Sequence, residues 1–466
     1  MYSRWQNQEE AFQFAMQHPS VMLDMDMGTG KTRVAIDVML ARSDVKRVLV
    51  VCPKAVVPVW RTNIEKFYPN NPSVQIWDQQ KGTVKAKVED IKGFFKTTAD
   101  AQKIVMVMNY DIVWRSPLGD LLRQLRFDLA ILDESHRIKA AGSKVSKYLA
   151  LLGKDIPYKM CLSGTPMANS PLDVYGQYRF LDPLIFGTNY TKFLGQYAVM
   201  SCTTPPFVVG CKNAKELNDK FSSIAYTCKM SDIQDRLKLP EKLPPNVIKL
   251  PLSAKDYATC KTLSKDFIAE CKGGQYVVLS NVLGKALRLQ QITSGFCMAQ
   301  AEPNEAPTEV ELNTVKADAL REFLQDLNRN EKVVVFCQFK HDIETVHEVC
   351  RSLNIASFEL SGHANTLGAW QEFCGGVIAV QIQAGAEGVD MTCARMCVYY
   401  SLPQSLALYE QSKARLYRPG QQHKVLFSYL ICENTIDELI YNALDNKSDL
   451  ITGVKSGSID FGYLKR

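Results

Sequence analysis

The chain has 466 residues, too many for one ordinary core at about 100–200 residues per domain, so two or three units are expected. Hydrophobic residues make up 46% and charged residues 22%, which excludes a disordered or fibrous chain. Lysines and arginines exceed acidic residues by 55 − 49 = +6, a mild basic excess that suits a polyanionic partner without requiring one.

The start, MYSRWQNQEEAF, has no apolar signal core, and no run approaches the ~18 apolar residues of a membrane span. A soluble protein with no membrane partner, kept in the cytoplasm, is the expectation. Fourteen cysteines are scattered through strand-like runs such as RVLVVC and KVVVFC, with no CxxC pair, and read as reduced core thiols. Cys393 and Cys397 lack a second pair at ligand spacing, so no zinc-type site is expected.

The first predicted elements are the short apolar runs SVMLDMD, RVLVVCP, KIVMVMN, FDLAILDES and KMCLSGT, separated by amphipathic segments. That alternation predicts a parallel sheet covered on both faces by helices. MGTGKT, residues 27–32, closes the first strand and opens the helical pattern TRVAIDVML. Strand, glycine turn and helix together make a phosphate cradle: Met27, Gly28, Thr29 and Gly30 bring backbone amides to the anion, and the helix dipole adds to them. Lys31 would reach the β and γ phosphates and Thr32 would bind magnesium. Met25 stands where the full phosphate-loop pattern has glycine. In FDLAILDESH an apolar strand ends at Asp133, which would orient Mg²⁺, and Glu134 would position and polarise the attacking water.

Residues 176–310 have few β-branched runs and read as helical insertions plus a linker, with a proline break at LPEKLPPNV and a helical pattern in NVLGKALRLQQI. AQAEPNEAPTEVE, residues 299–311, reads as an exposed loop, with a helix resuming near Thr314. A second series of strands follows: KVVVFCQF, SFELSG, GVIAVQIQA, MCVYYS and KVLFSYLI. Near the end, QSKARLYRPGQ sets Arg415 and Arg418 one helical turn apart. Either the pair supplies an arginine finger to the charge that builds on a transferring phosphoryl group, or it is a solvated basic helix face.

The order of these segments resembles the Swi/Snf-type ATPases, a branch of the two-lobed helicases and DNA translocases. NQEEAFQFA looks like the adenine-recognising Q motif, MGTGKT the first motif, VVCPKAVVPVWRTNIEKF the next, DESH the acidic box and SGTP the coupling motif. RFLDPLIFGTNYTKF, QAGAEGVDMT and QSKARLYRPGQ complete the likeness, which covers nearly the whole chain.

The resemblance implies two RecA-like parallel-sheet lobes in tandem: an ATP-binding lobe over residues 1–250, with a helical insertion at about 176–240, and a helicase lobe over 251–466, with a helical protrusion and linker at about 251–312. It implies ATP and Mg²⁺ as ligands, Gln8 on the adenine edge, and His136, Ser163, Thr165 and Gln411 in coupling. Gly388 and Asp390 would sense nucleotide near the lobe interface, and Pro53, Lys54 and Trp60 would run near the tracked strand.

The implied activity is a DNA-dependent ATPase that moves on duplex or branched DNA without reading sequence. Such a motor would remodel forks, junctions or protein–DNA complexes. A compact member of this kind suggests a monomer from a bacterium or bacteriophage, working beside replication or recombination proteins. A strand-separating helicase on single-stranded DNA or RNA, and a non-catalytic nucleic-acid-binding scaffold, are the alternatives. The chain departs from the family pattern at Ala386, Asp390 and Ala414, and IAYTCKMSDIQDRL lacks the usual arginine patch.

Overall fold

The computed structural model describes residues 3–69, 74–79, 82–98, 101–167, 170–201, 208–233, 239–258, 260–261, 279–299, 308–385 and 389–446. The chain forms two compact units, Met1–Lys238 and Leu239–Arg466. Each is an α/β lobe on a parallel sheet, as the alternating apolar runs predict.

The first unit contains β1 (Ser20–Met25), β2 (Arg47–Cys52), β3 (Val74–Asp78), β4 (Lys103–Asn109), β5 (Leu129–Asp133), β6 (Tyr158–Ser163), a hairpin of β7 (Ala198–Met200) and β8 (Val208–Cys211), and β9 (Ala225–Cys228). Among the described residues its main sheet runs β3-β4-β2-β5-β6-β1-β9, with every pairing parallel. Successive side chains of a strand face opposite ways, and both faces here are buried. Leu49, Val51, Met106, Met108 and Leu132 enter one core, while Val48, Val50, Val105, Val107 and Ile131 enter the other. The inner strands therefore read as unbroken apolar runs rather than alternating ones. Leu162 of β6 pairs with Asp133 on one side and Leu23 on the other, which brings the ends of β5 and β1 to the same edge of the sheet.

The second unit contains β10 (Asn246–Leu250), β11 (Phe296–Ala299), β12 (Thr308–Glu311), β13 (Lys332–Cys337), β14 (Ser357–Leu360), β15 (Gly376–Gln381), β16 (Met396–Tyr399) and β17 (Leu426–Cys432). Its main sheet runs β10-β17-β16-β13-β15-β14, again all parallel. Helices at Leu279–Thr293 and Val315–Gln325 fall where the helical spacings put them. Among the described residues no helix is long and apolar enough to cross a membrane.

The middle of the chain holds more strand than the sequence suggests. NVIKL, read as linker, is β10, an edge strand whose partner β17 lies about 180 residues away, with Val247 opposite Tyr429. Thr308–Glu311, read as loop, is wholly exposed and pairs antiparallel with Phe296–Ala299. Neither strand has the two buried faces that produce a continuous apolar run. The insertion likewise carries the β7–β8 hairpin and β9 beside its helices at Tyr190–Tyr197 and Ala214–Ser222.

A buried ion pair fastens the second unit. Lys316 Nζ lies 2.7 Å from Asp437 Oδ2, with both side chains almost fully buried. Asp437 also accepts from Thr293 Oγ1 at 2.9 Å and from the Cys432 amide at 3.3 Å, so three helices and β17 meet on one carboxylate. Burial is the strongest single influence and depresses the Lys316 ammonium, but Asp437, together with Cys432 and Asp342, turns the net shift upward. Lys316→Ala strands the carboxylate and should destabilise this unit by about 3–5 kcal/mol. Lys316→Met with Asp437→Leu should recover most of that loss in urea unfolding; no recovery would mean that packing, not the stranded charge, carries the effect.

Candidate active site

The phosphate loop is built where β1 runs out. Met25, the last strand residue, is buried in the core, which is why this position holds an apolar residue rather than the glycine of the full pattern. Gly28 and Gly30 have φ of 83° and 97°, left-handed values that favour glycine. A Cβ on Gly30 would also fall 2.2 Å from Gln8 Nε2. Gly30 caps the helix Lys31–Ala41, whose first-turn amides have no carbonyl one turn earlier to bond and point out of the helix end. Lys31 Nζ is drawn back onto the loop, donating to Met25 O at 2.8 Å and Asp26 O at 3.4 Å.

Two residues expected to contact ligand also make internal contacts here. Gln8 is buried, its Oε1 accepts from the Trp5 amide at 3.1 Å, and its Nε2 lies against Gly30. Thr29 is fully buried and internally engaged: its amide (3.3 Å) and hydroxyl (2.7 Å) donate to Asp26 O, and its carbonyl accepts from Asn7 Nδ2 at 3.0 Å. From the other side, Lys229, just past β9, holds Asp24 at 3.2 Å and Asp26 at 3.6 Å. The Met230 amide donates to Asp26 Oδ2 at 2.8 Å.

Asp133 ends β5 at the same sheet edge, close enough for the Lys31 charge to act on it. Its Oδ1 accepts from the Glu134 amide at 3.0 Å and its Oδ2 from the Trp60 indole N–H at 2.9 Å. Trp60 is wholly buried, which corrects its expected place beside a nucleic-acid strand: a side chain with no exposed surface cannot meet a polyanion, and this one orients an acid. Pro53 is buried as well, while Lys54, in the turn Lys54–Val56, is exposed and remains available for a phosphate contact. Glu134 has φ 53°, the left-handed region that a non-glycine residue enters at a cost of about 1–3 kcal/mol. That turn stops the strand abruptly at Asp133.

Burial, and then the neighbouring Glu134, push the Asp133 carboxyl up to about 6. A folded-state value above the ordinary one of about 4 means that this group's stabilising contribution is complete below pH 4 and is lost as pH rises through 6. Asp133→Asn removes the buried charge, worth up to about 3 kcal/mol, but leaves either Trp60 or Glu134 without an acceptor, a loss of about 1 kcal/mol. Without nucleotide or divalent cation, the variant should therefore be more stable than wild type at pH 8 by about 1–2 kcal/mol, with a smaller gain at pH 5. Equal destabilisation at both pH values, measured by denaturant titration, would count against this account.

His136 follows in the turn Ser135–Ile138. Its Nδ1 lies 3.4 Å from Glu134 Oε2 and 3.3 Å from Ser163 Oγ, and burial holds the imidazole below its usual range, hence neutral at pH 7. Ser163 Oγ accepts from the Thr165 amide at 3.1 Å. Sequence reasoning missed Gln177, whose amide joins Ser135 to Pro166 from the helix Val174–Leu181. The first unit thus brings Lys31, Thr32, Asp133, Glu134, His136 and Ser163 to one sheet edge.

A second group belongs to the other unit. Gln411 and Arg415 are buried on the helix Leu406–Leu416, and Arg418 is half-buried just beyond it. The Met391 amide donates to Arg415 O at 3.1 Å, tying the loop at 389–392 to that helix. Asp390 is exposed, and its Oδ1 accepts from the Thr392 amide at 2.9 Å and hydroxyl at 2.8 Å, closing its own turn. Gly388 lies outside the described residues.

Comparison with known proteins gives this geometry a context. The family model for the SNF2-related domain matches residues 1–295, and that for the helicase conserved C-terminal domain matches residues 315–420. The SWI/SNF-related matrix-associated actin-dependent regulator of chromatin subfamily A-like protein 1 of Drosophila melanogaster is 23% identical, over 96% of this chain and 55% of that protein. The DNA repair and recombination protein RAD54B of Homo sapiens is 22% identical, over 92% of this chain and 51% of its own length. An ATP-dependent helicase of Mycoplasma genitalium is 23% identical, over 94% and 40%. The chain thus spans about half the length of the curated relatives it matches. Among solved structures, the Sulfolobus solfataricus SWI2/SNF2 ATPase core in complex with dsDNA is 20% identical, covering 98% of this chain and 94% of that one, with a TM-score of 0.45.

Proposed function

The chain belongs to the SNF2-related family, and from that premise we propose that it is a nucleic-acid-stimulated ATPase that tracks along duplex or branched DNA. The observation that carries the reading is the meeting, at one sheet edge, of a left-handed glycine turn bearing Lys31 with the paired carboxyls of Asp133 and Glu134. A loop of amides with a lysine binds phosphate, and an oriented carboxylate beside it handles water; a scaffold that merely bound nucleic acid would need neither.

The residues at hand fit a divalent cation. The Thr32 hydroxyl and the Asp133 carboxylate are hard oxygen donors of the kind Mg²⁺ takes, and a cation would relieve the cost of a charged, buried Asp133. When bound, Mg²⁺ supplies charge neutralisation on the phosphates. Lys31 leaves the loop carbonyls for the β and γ phosphates. Glu134 holds the attacking water in line, and Arg415 and Arg418 from the second unit meet the charge developing on the transferred group. The coupling we propose is a change between two arrangements of the units, ATP binding favouring one and hydrolysis releasing it.

Cycles of closing and opening advance the motor along a strand gripped by its phosphates, through Lys54 among others, so binding is indifferent to sequence and weakens with salt. The human relative's designation as a DNA repair and recombination protein supports DNA rather than RNA, with forks and recombination junctions as the natural substrates. The test is hydrolysis measured side by side with single-stranded DNA, duplex DNA, branched DNA and RNA. The strongest stimulation should come from duplex or branched DNA, and stimulation by RNA alone would sink the reading.

A further inference from the structure

We propose that Gln177, outside every motif named above, is the positioning residue that links the acidic turn to the segment Ser163–Pro166 and thereby sets how strongly nucleic acid stimulates hydrolysis; this rests on the ATPase reading. Gln177 has no exposed surface, and its amide is fully committed. Oε1 accepts from the Ser135 hydroxyl at 2.7 Å, and Nε2 donates to Pro166 O at 2.7 Å and Asp173 O at 3.1 Å. Ser135 is the neighbour of Glu134, and Pro166 closes the SGTP run. One side chain therefore joins the residue beside the candidate base to the far end of the other motif.

The alternative link, from His136 to Ser163, is weaker on geometry. At 3.3 Å it is longer, and the same Nδ1 lies 3.4 Å from Glu134. One ring nitrogen has at most one proton: as an N–H it must share it between Ser163 Oγ and Glu134 Oε2, and as an acceptor it can bond the Ser163 hydroxyl but offers the carboxylate nothing. The Gln177 bonds face no such competition. An amide is also the chemistry the position needs, because only a side chain with an acceptor and a donor at one end can take a hydroxyl proton and bond a carbonyl together.

The helix carrying Gln177 is locked to the acidic turn. A Cβ on Gly176 would fall 2.1 Å from Ile138 O, so helix and turn touch backbone to backbone. Lys139 Nζ lies 3.5 Å from Asp173 Oδ2, and Arg179 Nη2 donates to Ala141 O at 2.8 Å. A displacement of the turn at Glu134 therefore carries this helix with it, and Pro166 follows through Nε2. At the receiving end, the Thr165 hydroxyl is buried with no hydrogen-bond partner among the described residues. A polar group left unsatisfied there fits a segment with a second arrangement to adopt.

The experiment measures steady-state hydrolysis by the full chain, with and without duplex DNA, for wild type, Gln177→Met, Ser135→Ala and the double variant. Both single variants should keep basal turnover within about twofold, and the double should be no worse than either, because all three break one link. DNA-stimulated kcat should fall about tenfold, with KM for ATP and half-saturating DNA unchanged. Ser135→Ala removes a single oxygen and serves if Gln177→Met fails to fold. Basal and stimulated rates that fall together, effects of the two substitutions that simply add, or variants stimulated like a responsive wild type would each overturn the proposal alone. A wild-type chain that no nucleic acid stimulates would overturn the functional reading as well.

Discussion

Arg418→Ala is expected to lower turnover at saturating ATP by about 10³-fold or more, while ATP affinity changes by less than about tenfold. The side chain is half-buried, and its Nε is a buried atom with no hydrogen-bond partner among the described residues. A desolvated guanidinium nitrogen without an acceptor costs about 1–3 kcal/mol, a cost folded chains retain where something outside the fold supplies the acceptor. A phosphoryl group in transfer is such an acceptor, and it gains charge on its oxygens only on the way to the transition state. Removing a contact made mainly there lowers kcat and spares binding.

The backbone around Arg418 is held independently of its side chain. The Gln421 amide donates to Arg418 O at 3.0 Å, and Gln421 Nε2 donates to Ala394 O at 2.9 Å and Leu416 O at 3.1 Å. Alanine should therefore leave the turn intact. Arg418→Lys keeps the charge but not the planar fork, and should recover little. Turnover and fluorescent-nucleotide binding measured on the same preparation decide the matter: if ATP binding falls in step with turnover while the second unit stays folded, Arg418 acts in the ground state and is no finger.

The parts of this protein that could be read from its sequence are those whose cause is local. The turn 27–32 declares itself because left-handed backbone at Gly28 and Gly30 selects glycine, and Asp133 because a strand buried on both faces must end in something polar at the sheet edge. The inner strands declare themselves by the same double burial. What escaped has its cause elsewhere in the chain.

Trp60 sits on an ordinary amphipathic helix, and only the fold reveals that its indole reaches an acid 73 positions away. Gln177 looks like one polar residue in an apolar helix until Ser135, 42 positions earlier, is found against it. β10 follows a proline cluster and takes its hydrogen bonds from β17, so neither its length nor its composition could announce it. Gln8 sits against the nucleotide loop for a reason that is also distant in sequence: its Oε1 accepts from the Trp5 amide and its Nε2 lies against Gly30.

Glu134→Gln should reduce kcat by about 10²–10⁴-fold and leave a nucleotide-bound state that holds DNA more tightly than wild type does. The substitution is conservative where it matters for folding. Glutamine matches the volume, and the left-handed backbone at 134 is imposed by its surroundings: the 134 amide is held by Asp133 Oδ1, and Glu134 O accepts from the Arg137 amide at 3.1 Å. What changes is the proton chemistry. The carboxylate can accept from a water, and beside it, at 3.4 Å, lies Nδ1 of the buried His136 imidazole. A carboxamide keeps one acceptor oxygen but puts an N–H₂ in place of the other, so it can contact a water without drawing off its proton.

On the proposed reading, binding rests on Lys31 and the loop amides and should persist. If closure of the two units needs only bound ATP and release needs its hydrolysis, the blocked enzyme accumulates closed on DNA. Dissociation from duplex DNA, followed in the presence of ATP, should slow in proportion to the loss in turnover, and the slowing should vanish when ATP is withdrawn. A Glu134→Gln chain that hydrolyses ATP at the wild-type rate would remove this carboxylate from the reaction, and one that fails to hydrolyse yet releases DNA as fast as wild type would separate hydrolysis from the grip.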